Sequence, residues 1–148
     1  MNAYTELKQR QSEESNKLPL YFAFSDKQFQ EVLDKLGMTV EQKDQFYALG
    51  KTGGFYLKVD SAKIHEMFDR HEKEREEAIA SDTKGDGYIF DMFLYELNNH
   101  EYGYTGDPTD TLNALGLTPD LILANKALHH GFSKAVQHIK AEADKRGC

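Results

Sequence analysis

The chain of 148 residues is 39% hydrophobic and 11% aromatic, which suits one domain with a single compact core. It contains no run of about eighteen apolar residues and only one cysteine, Cys148, so it excludes a membrane-spanning helix, an intrachain disulfide and a thiolate metal site. Its net charge of -7 is unevenly distributed, and that distribution says more about partners than the total does.

The middle of the chain is its acidic part. Residues 61–120 contain five Lys or Arg against fourteen Asp or Glu, whereas residues 1–60 contain eight against nine and residues 121–148 five against two. An acidic surface repels phosphate backbones, so we expect no direct binding of nucleic acid. It suits a protein partner with a basic surface, although acidic surfaces more often serve only solubility. The polar opening "MNAYTELKQRQSEESNK" contains no apolar leader, and we expect a cytoplasmic protein without a membrane partner.

The first sixty residues predict a mixture of helix and strand. A polar lead-in helix is predicted over 1–17, because Pro19 disfavours its continuation. Ser25 or Asp26 can cap an amphipathic helix that ends at Gly37. Short strands are predicted from aromatic and apolar runs at 20–24, 45–49 and 54–58.

From residue 61 onward the apolar residues recur at helical spacing. One face of the first helix in this part is predicted to carry Ile64, Met67, Phe68, His71, Arg75, Ala78 and Ile79. The run "YIFDMFLYEL" has apolar residues on every side, which predicts a central, buried helix over 88–99. Two short helices separated by Gly116 follow, and a last helix is predicted over about 126–145.

These elements predict an α+β fold that is mostly helical. We expect a single domain over 1–148, with the lead-in helix, a mixed α/β part over 18–60 and a helical part over 61–146. The predicted two- to three-stranded sheet lies in the N-terminal part and packs on the helical C-terminal part, where the 88–99 helix is central.

Two short motifs suggest binding chemistry but lack essential residues. "DTKGDGYI" begins like a calcium loop at Asp82, yet its third position is Lys84 and its twelfth is Phe93, where oxygen ligands belong. "GKTGG" resembles part of a phosphate-binding loop, but Gln45 stands where the first glycine belongs and two glycines follow instead of a helix. We interpret both segments as turns.

The most concentrated chemistry lies in "YELNNHEY", where Glu96 and His100 are one helical turn apart. Both should be partly buried, and a buried carboxylate requires a partner such as an imidazolium. His71, on the apolar face of the preceding helix, could join them, and a Glu-His-His set would offer three ligands to zinc or iron. Because this is not an HExxH motif, we favour a structural network, and we expect no cofactor.

The segments "LYFAFSDKQFQEVLDKLGM", "GGFYLK" and "GYIFDMFLYELNNHEYGYT" resemble a family of small uncharacterised proteins encoded by gut bacteria and their phages or mobile elements. The resemblance extends from about residue 3 to 125, and "FLYELNNHEY" is its most specific part. It implies an origin and a single-domain length. It implies no reaction and no catalytic residue.

Two functional hypotheses remain open at this point. The first is an acidic protein-interaction module of a phage or mobile element, which could inhibit a host defence or nucleic-acid-binding protein by contacting its basic surface. The second is a small metal-dependent hydrolase that uses Glu96, His100 and His71. The interaction module needs no catalytic motif, and we favour it over an enzyme.

Overall fold

In the computed structural model, which describes residues 2–146, the chain forms eight α-helices and one three-stranded sheet. The elements are α1 (Ala3–Asn16), β1 (Tyr21–Phe22), α2 (Asp26–Leu36), β2 (Phe46–Leu49), β3 (Gly54–Leu57), α3 (Ser61–Ser81), α4 (Tyr88–Asn99), α5 (Tyr102–Thr105), α6 (Thr109–Leu115), α7 (Pro119–Ala124) and α8 (Lys126–Lys145). The predicted α+β class, mostly helical with a small N-terminal sheet, is confirmed.

The chain divides into two compact units, Arg10–Lys73 and Met1–Gln9 with Glu74–Cys148. The boundaries fall inside α1 and α3, so each of these helices contributes residues to both units. The single domain expected over 1–148 stays a prediction.

The unit Arg10–Lys73 contains the sheet, in the antiparallel order β1-β3-β2. Phe29 of α2 packs on Phe46 and Phe55, with ring centroids 6.1 and 5.2 Å apart. Ser25 caps α2 by accepting from the Gln28 amide, and Gly37 ends the helix in the left-handed region at φ 68°, which glycine adopts without steric cost. The predicted boundaries of α2 are therefore confirmed, while the strands are one to three residues shorter than predicted.

The other unit is built around α4, as the all-round apolar pattern predicts. Its side chains Tyr88, Ile89, Met92, Phe93, Glu96 and Leu97 are buried, and the neighbouring helices α5, α6 and α8 contact it. The buried face of α8 carries Leu128, Gly131, Ala135 and Ile139. A side chain at Gly131 would approach Ile89 Cγ2 to 2.5 Å, so glycine permits the close contact of α8 with α4.

The predicted face of α3 is confirmed except at one position. Ile64, Met67 and His71 are buried, and Phe68, Ala78 and Ile79 are half-buried. Arg75 is exposed instead, because its long side chain can place the guanidinium in water even when the backbone lies at the margin of an apolar face. Among residues 2–146, no helix has the length and apolar character that crossing a membrane requires.

Candidate functional site

Glu96 is a buried carboxylate on α4, with 4% of its surface exposed. It shares one helical face with Ile89 and Phe93, which are both fully buried, and this spacing places its side chain in an apolar environment. A carboxylate in such a place must be hydrogen-bonded or paired with a cation. The partners of Glu96 therefore decide what this site can do.

Three side chains surround the Glu96 carboxylate. Tyr4 Oη and Lys8 Nζ both donate to Oε1, each at 3.0 Å, and His100 Nε2 lies 3.6 Å from Oε2. We call Tyr4, Lys8, Glu96 and His100 the Glu96 cluster. The sequence predicted the pair of Glu96 and His100 and the burial of both, and the structure brings these two residues together.

Aromatic rings lie beside the Lys8 ammonium of this cluster. The Lys8 ammonium lies 5.1 Å from the centroid of Tyr95 and 5.7 Å from that of Tyr4, within cation–π range. Tyr4 also contacts Tyr88 edge-on, with centroids 5.6 Å apart. Burial, followed by the nearby Glu96 carboxylate, raises the pKa of Tyr4 above its ordinary value. Tyr4 therefore remains a neutral hydrogen-bond donor at physiological pH.

The backbone at Glu96 is held as well. Thr111 of α6 is fully buried, and its Oγ1 donates to the Glu96 carbonyl at 3.2 Å. His100 ends α4, and Glu101 follows with φ 59°. These contacts connect α4 to α6 and restrict where the Glu96 and His100 side chains can lie.

His71 has a different partner. It is buried on α3, as predicted, and its Nε2 lies 2.5 Å from Glu14 Oε1. Arg70 Nη1 donates to the same oxygen at 2.8 Å, and Gln11 Nε2 donates to the His71 carbonyl at 3.1 Å. His71 is thus part of a second cluster, formed with Glu14 and Arg70 inside Arg10–Lys73.

Metal chemistry finds little support in these contacts. Within residues 2–146, no three His, Cys, Asp or Glu side chains form a group that could hold a metal ion, so Glu96, His100 and His71 are not assembled into one. At Glu96, a metal would compete with the Lys8 ammonium for Oε1, and like charges at that distance repel strongly. The contacts instead fix the position of the Glu96 carboxylate.

Asp82, the first residue of the calcium-like segment, is occupied by backbone. Its Oδ1 accepts from the Gly85 amide, and its Oδ2 accepts from the amides of Gly87 and Ile89, all at 3.0 Å. The carboxylate therefore caps the start of α4 from outside the helix. Asp86 is paired with His130 at 2.7 Å and Lys134 at 3.2 Å. The segment is a helix-to-helix turn, as predicted.

Sequence reasoning missed Tyr4 and Lys8. They precede Glu96 by 92 and 88 residues, and no local pattern connects positions so far apart. The one signal was that Tyr4 and Leu7 share a face of a polar helix. Such a face must be buried somewhere, but the sequence does not show against which element.

Comparisons with known proteins give a family and no activity. A family of unknown function (DUF7659) matches residues 3–138. Neither the curated proteins nor the solved structures contain a match to the chain. The match agrees with the resemblance to an uncharacterised family, and it says nothing of gut bacteria, phages or mobile elements.

Proposed function

Since the chain belongs to the DUF7659 family of unknown function, we propose from its own residues that it is an acidic protein-interaction module. The proposal depends on where the acidity lies. The five Lys and Arg residues of the acidic middle all precede residue 85, and no further Lys or Arg occurs until Lys126. Residues 85–125 contain seven Asp or Glu and no basic residue except His100.

Most residues of the segment 107–124, which spans α6 and α7, are exposed, and we call it the acidic segment. Asp107, Asp110 and Asp120 are exposed, and none of them has an ion-pair partner in the described chain. Leu121 and Leu123 of α7 are 51% and 70% exposed. Exposed carboxylates without ion pairs, in the same segment as exposed leucines, are the observation that carries the proposal, because basic amphipathic surfaces combine the complementary charge and apolar groups.

The rest of the acidic middle supports this choice of surface. On α3 the acidic residues alternate with Lys63, Arg70 and Lys73, and Arg70 is bonded to both Glu14 and Glu66. The acidic segment has no such internal compensation. The electrostatic attraction of a basic partner is therefore strongest at the acidic segment, and it weakens as the salt concentration rises.

In its finer form, the proposal is that the protein is an accessory protein of a phage or mobile element. Its partner would be a host protein with a basic surface, such as a defence or nucleic-acid-binding protein, which it would inhibit by covering that surface. Two features support this form. One is the resemblance of "FLYELNNHEY" and its neighbours to proteins from such genomes. The other is an acidic surface, which can occupy a basic surface in place of a nucleic-acid backbone.

The test compares two triple variants of equal net charge. The first carries Asp107→Asn, Asp110→Asn and Asp120→Asn. The matched control carries Asp69→Asn, Glu72→Gln and Glu76→Gln, three exposed acidic positions of α3. Binding of a helical leucine-lysine peptide is measured by calorimetry at low and high salt.

We expect salt-sensitive binding to the wild type and the α3 control, and at least about tenfold weaker binding to the first variant. Equal loss in both variants would show that only net charge matters, and would overturn the proposed surface. For the finer form, the same variants are used as baits in a gut-bacterial lysate. Enrichment of basic host proteins on the wild type and the control, but not on the first variant, is the expected result.

A further inference from the structure

A small cavity lies between the end of α4, α5 and the last turns of α8. Its volume is about 280 Å³, just below the usual range for small-molecule sites. Its lining includes Glu101, Gly103, Tyr104, Ile139, Glu142 and Arg146. None of them belongs to the Glu96 cluster or to the acidic segment, so the inference is independent of the proposed function.

The cavity holds opposite charges that do not pair with each other. Glu101 and Arg146 both line it, yet neither forms an ion pair with any residue in the described part of the chain. In open solvent such side chains would gain little from pairing. Held on opposite elements around a cavity, they can each bind one end of a molecule that carries both charges.

The backbone at this place is unusual. Glu101 is the one residue other than glycine with a positive φ among residues 2–146, at 59°, a conformation that disfavours residues with a side chain. Its carbonyl accepts from the amides of Tyr104 and Thr105 at 3.0 and 3.1 Å, which holds α5 against it. The strained position keeps a carboxylate at the cavity where asparagine or glycine would fit the backbone more easily.

The remaining surface of the cavity is mixed, and its second carboxylate, Glu142, is paired with Lys145 at 3.7 Å. Ile139 is buried at 4% exposure, whereas the Tyr104 ring is 86% exposed. A side chain added at Gly103 would lie 3.5 Å from Ile139 Cγ2 and 3.8 Å from Arg146 Nη2. The apolar and the charged walls therefore meet next to Gly103, where a ligand atom would contact both.

We propose that this cavity binds a free α-amino acid with an apolar side chain. The α-carboxylate would pair with the Arg146 guanidinium, the α-ammonium with the Glu101 carboxylate, and the side chain would lie on Ile139 and Tyr104. A zwitterion fits because it satisfies both unpaired charges without adding net charge to the site. Affinity should be weak, since the cavity is small and open.

The probe is L-leucine, titrated into the full chain while amide chemical shifts are followed by NMR. Isocaproate and isoamylamine, which each lack one of the two charges, are the ligand controls. We expect saturable shifts at Gly103 and its neighbours with leucine, and at least about tenfold weaker binding of either control. Equal binding of leucine and isocaproate, or no saturable shift with leucine, would overturn the proposal.

Three variants separate recognition from folding. Arg146→Gln and Glu101→Gln should each weaken leucine binding at least about tenfold. Gly103→Ala should leave the melting temperature unchanged or higher, since alanine favours a helix and meets only ordinary contacts, yet its methyl group should reduce binding. Lys140→Gln, a change on an exposed position of α8, is the matched control. Loss of binding in that control would count against the site.

Discussion

Two carboxylates of this protein have the same kinds of partner and differ in burial. Glu96 contacts Lys8 and His100, and Glu14 contacts Arg70 and His71. The Glu96 side chain is 5% exposed and that of Glu14 is 39% exposed. Equivalent contacts should therefore contribute very different amounts to stability, because water screens the Glu14 pairs and competes for them.

Burial, which the fold determines, therefore decides how much each carboxylate contributes to stability. At Glu96, removing one partner leaves a desolvated charge or hydroxyl. At Glu14, the exposed Arg70 guanidinium is rehydrated at small cost, and the buried His71 ring is the one group that loses a partner away from water. The structural network favoured for Glu96 and His100 can thus be tested against an internal control with similar chemistry.

The largest loss of stability is expected when the apolar core around Glu96 is disrupted. Phe93 is fully buried beside Glu96 on α4 and packs edge-on against Phe132 at 5.3 Å. Phe93→Ala should lower the free energy of unfolding by about 3–5 kcal/mol, because it leaves a cavity in the core. Chemical denaturation measures the change. A loss below about 1 kcal/mol would mean that α4 is not the buried element on which the comparison depends.

The next largest effect is expected at the buried carboxylate. Glu96→Ala should lower the free energy of unfolding by about 2–4 kcal/mol, because it strands the Tyr4 hydroxyl and leaves His100 unpaired. His100→Ala should cost less, about 1 kcal/mol, since Glu96 keeps its bonds from Tyr4 and Lys8. Denaturant titration of each variant measures both values.

The double variant of Glu96 and His100 tests whether the two residues act together. Its loss of stability should be smaller than the sum of the single losses, because the second change removes a group already stranded by the first. Additive losses would contradict a structural pair. Stoichiometric zinc or iron in the wild-type protein, lost in both single variants, would support the metal hypothesis instead.

Tyr4→Phe should have an intermediate effect, about 1–2 kcal/mol, because it removes one hydrogen bond to Glu96 and leaves the ring in place. The effect depends on pH. Since the folded state raises the pKa of Tyr4 above its ordinary value of 10.0, its contribution is complete below about pH 10 and is lost as the pH rises further. Unfolding curves from neutral to alkaline pH should show a smaller alkaline loss in the variant. An identical alkaline loss would argue against the Tyr4–Glu96 bond.

At the exposed counterpart the effect should be smaller and should occur in acid. The Arg70 hydrogen bond, followed by that of His71, lowers the pKa of Glu14 from about 4.5 to about 2. The contribution of Glu14 is therefore present above pH 4.5 and is lost as the pH falls toward 2. Glu14→Gln should remove that acid-dependent part and cost less than Glu96→Ala at neutral pH. If Glu14→Gln lowered the free energy of unfolding at neutral pH as much as Glu96→Ala does, the proposed difference between the buried and the exposed carboxylate would be wrong.

The smallest effect is expected at a third carboxylate, that of Asp82, which is satisfied by backbone amides alone. Millimolar calcium should leave the melting temperature unchanged, because the Asp82 carboxylate already accepts hydrogen bonds from three backbone amides. The glutamate that closes a calcium loop at its twelfth position is also absent. Differential scanning fluorimetry with magnesium as the ionic control measures this. A calcium-specific rise would show that the turn reorganises around the ion.

Much of the fold could be predicted because its signals are local. Ser25 and Gly37 mark the ends of α2, Thr118 and Pro119 the start of α7, and the apolar run of 88–97 the buried α4. Caps and periodicity act within a few residues, so the sequence shows them directly. The short helix α5 was not predicted, because "YGYT" contains two poor helix formers and no apolar period.

The sequence by itself determined which groups needed a partner. A glutamate on the apolar face of α4 must be hydrogen-bonded, and a histidine one turn away is within reach of it, whatever the rest of the fold. Those requirements follow from helix geometry and from the cost of burying a charge.

Only the tertiary structure decided who the partners are. It brought Tyr4 and Lys8 to Glu96 and Glu14 to His71, contacts that span 92, 88 and 57 residues. Long-range pairing depends on how whole helices pack, and no spacing along the chain records that packing. For the same reason the cavity between α5 and α8, with its unpaired Glu101 and Arg146, could be found only after both helices were in place.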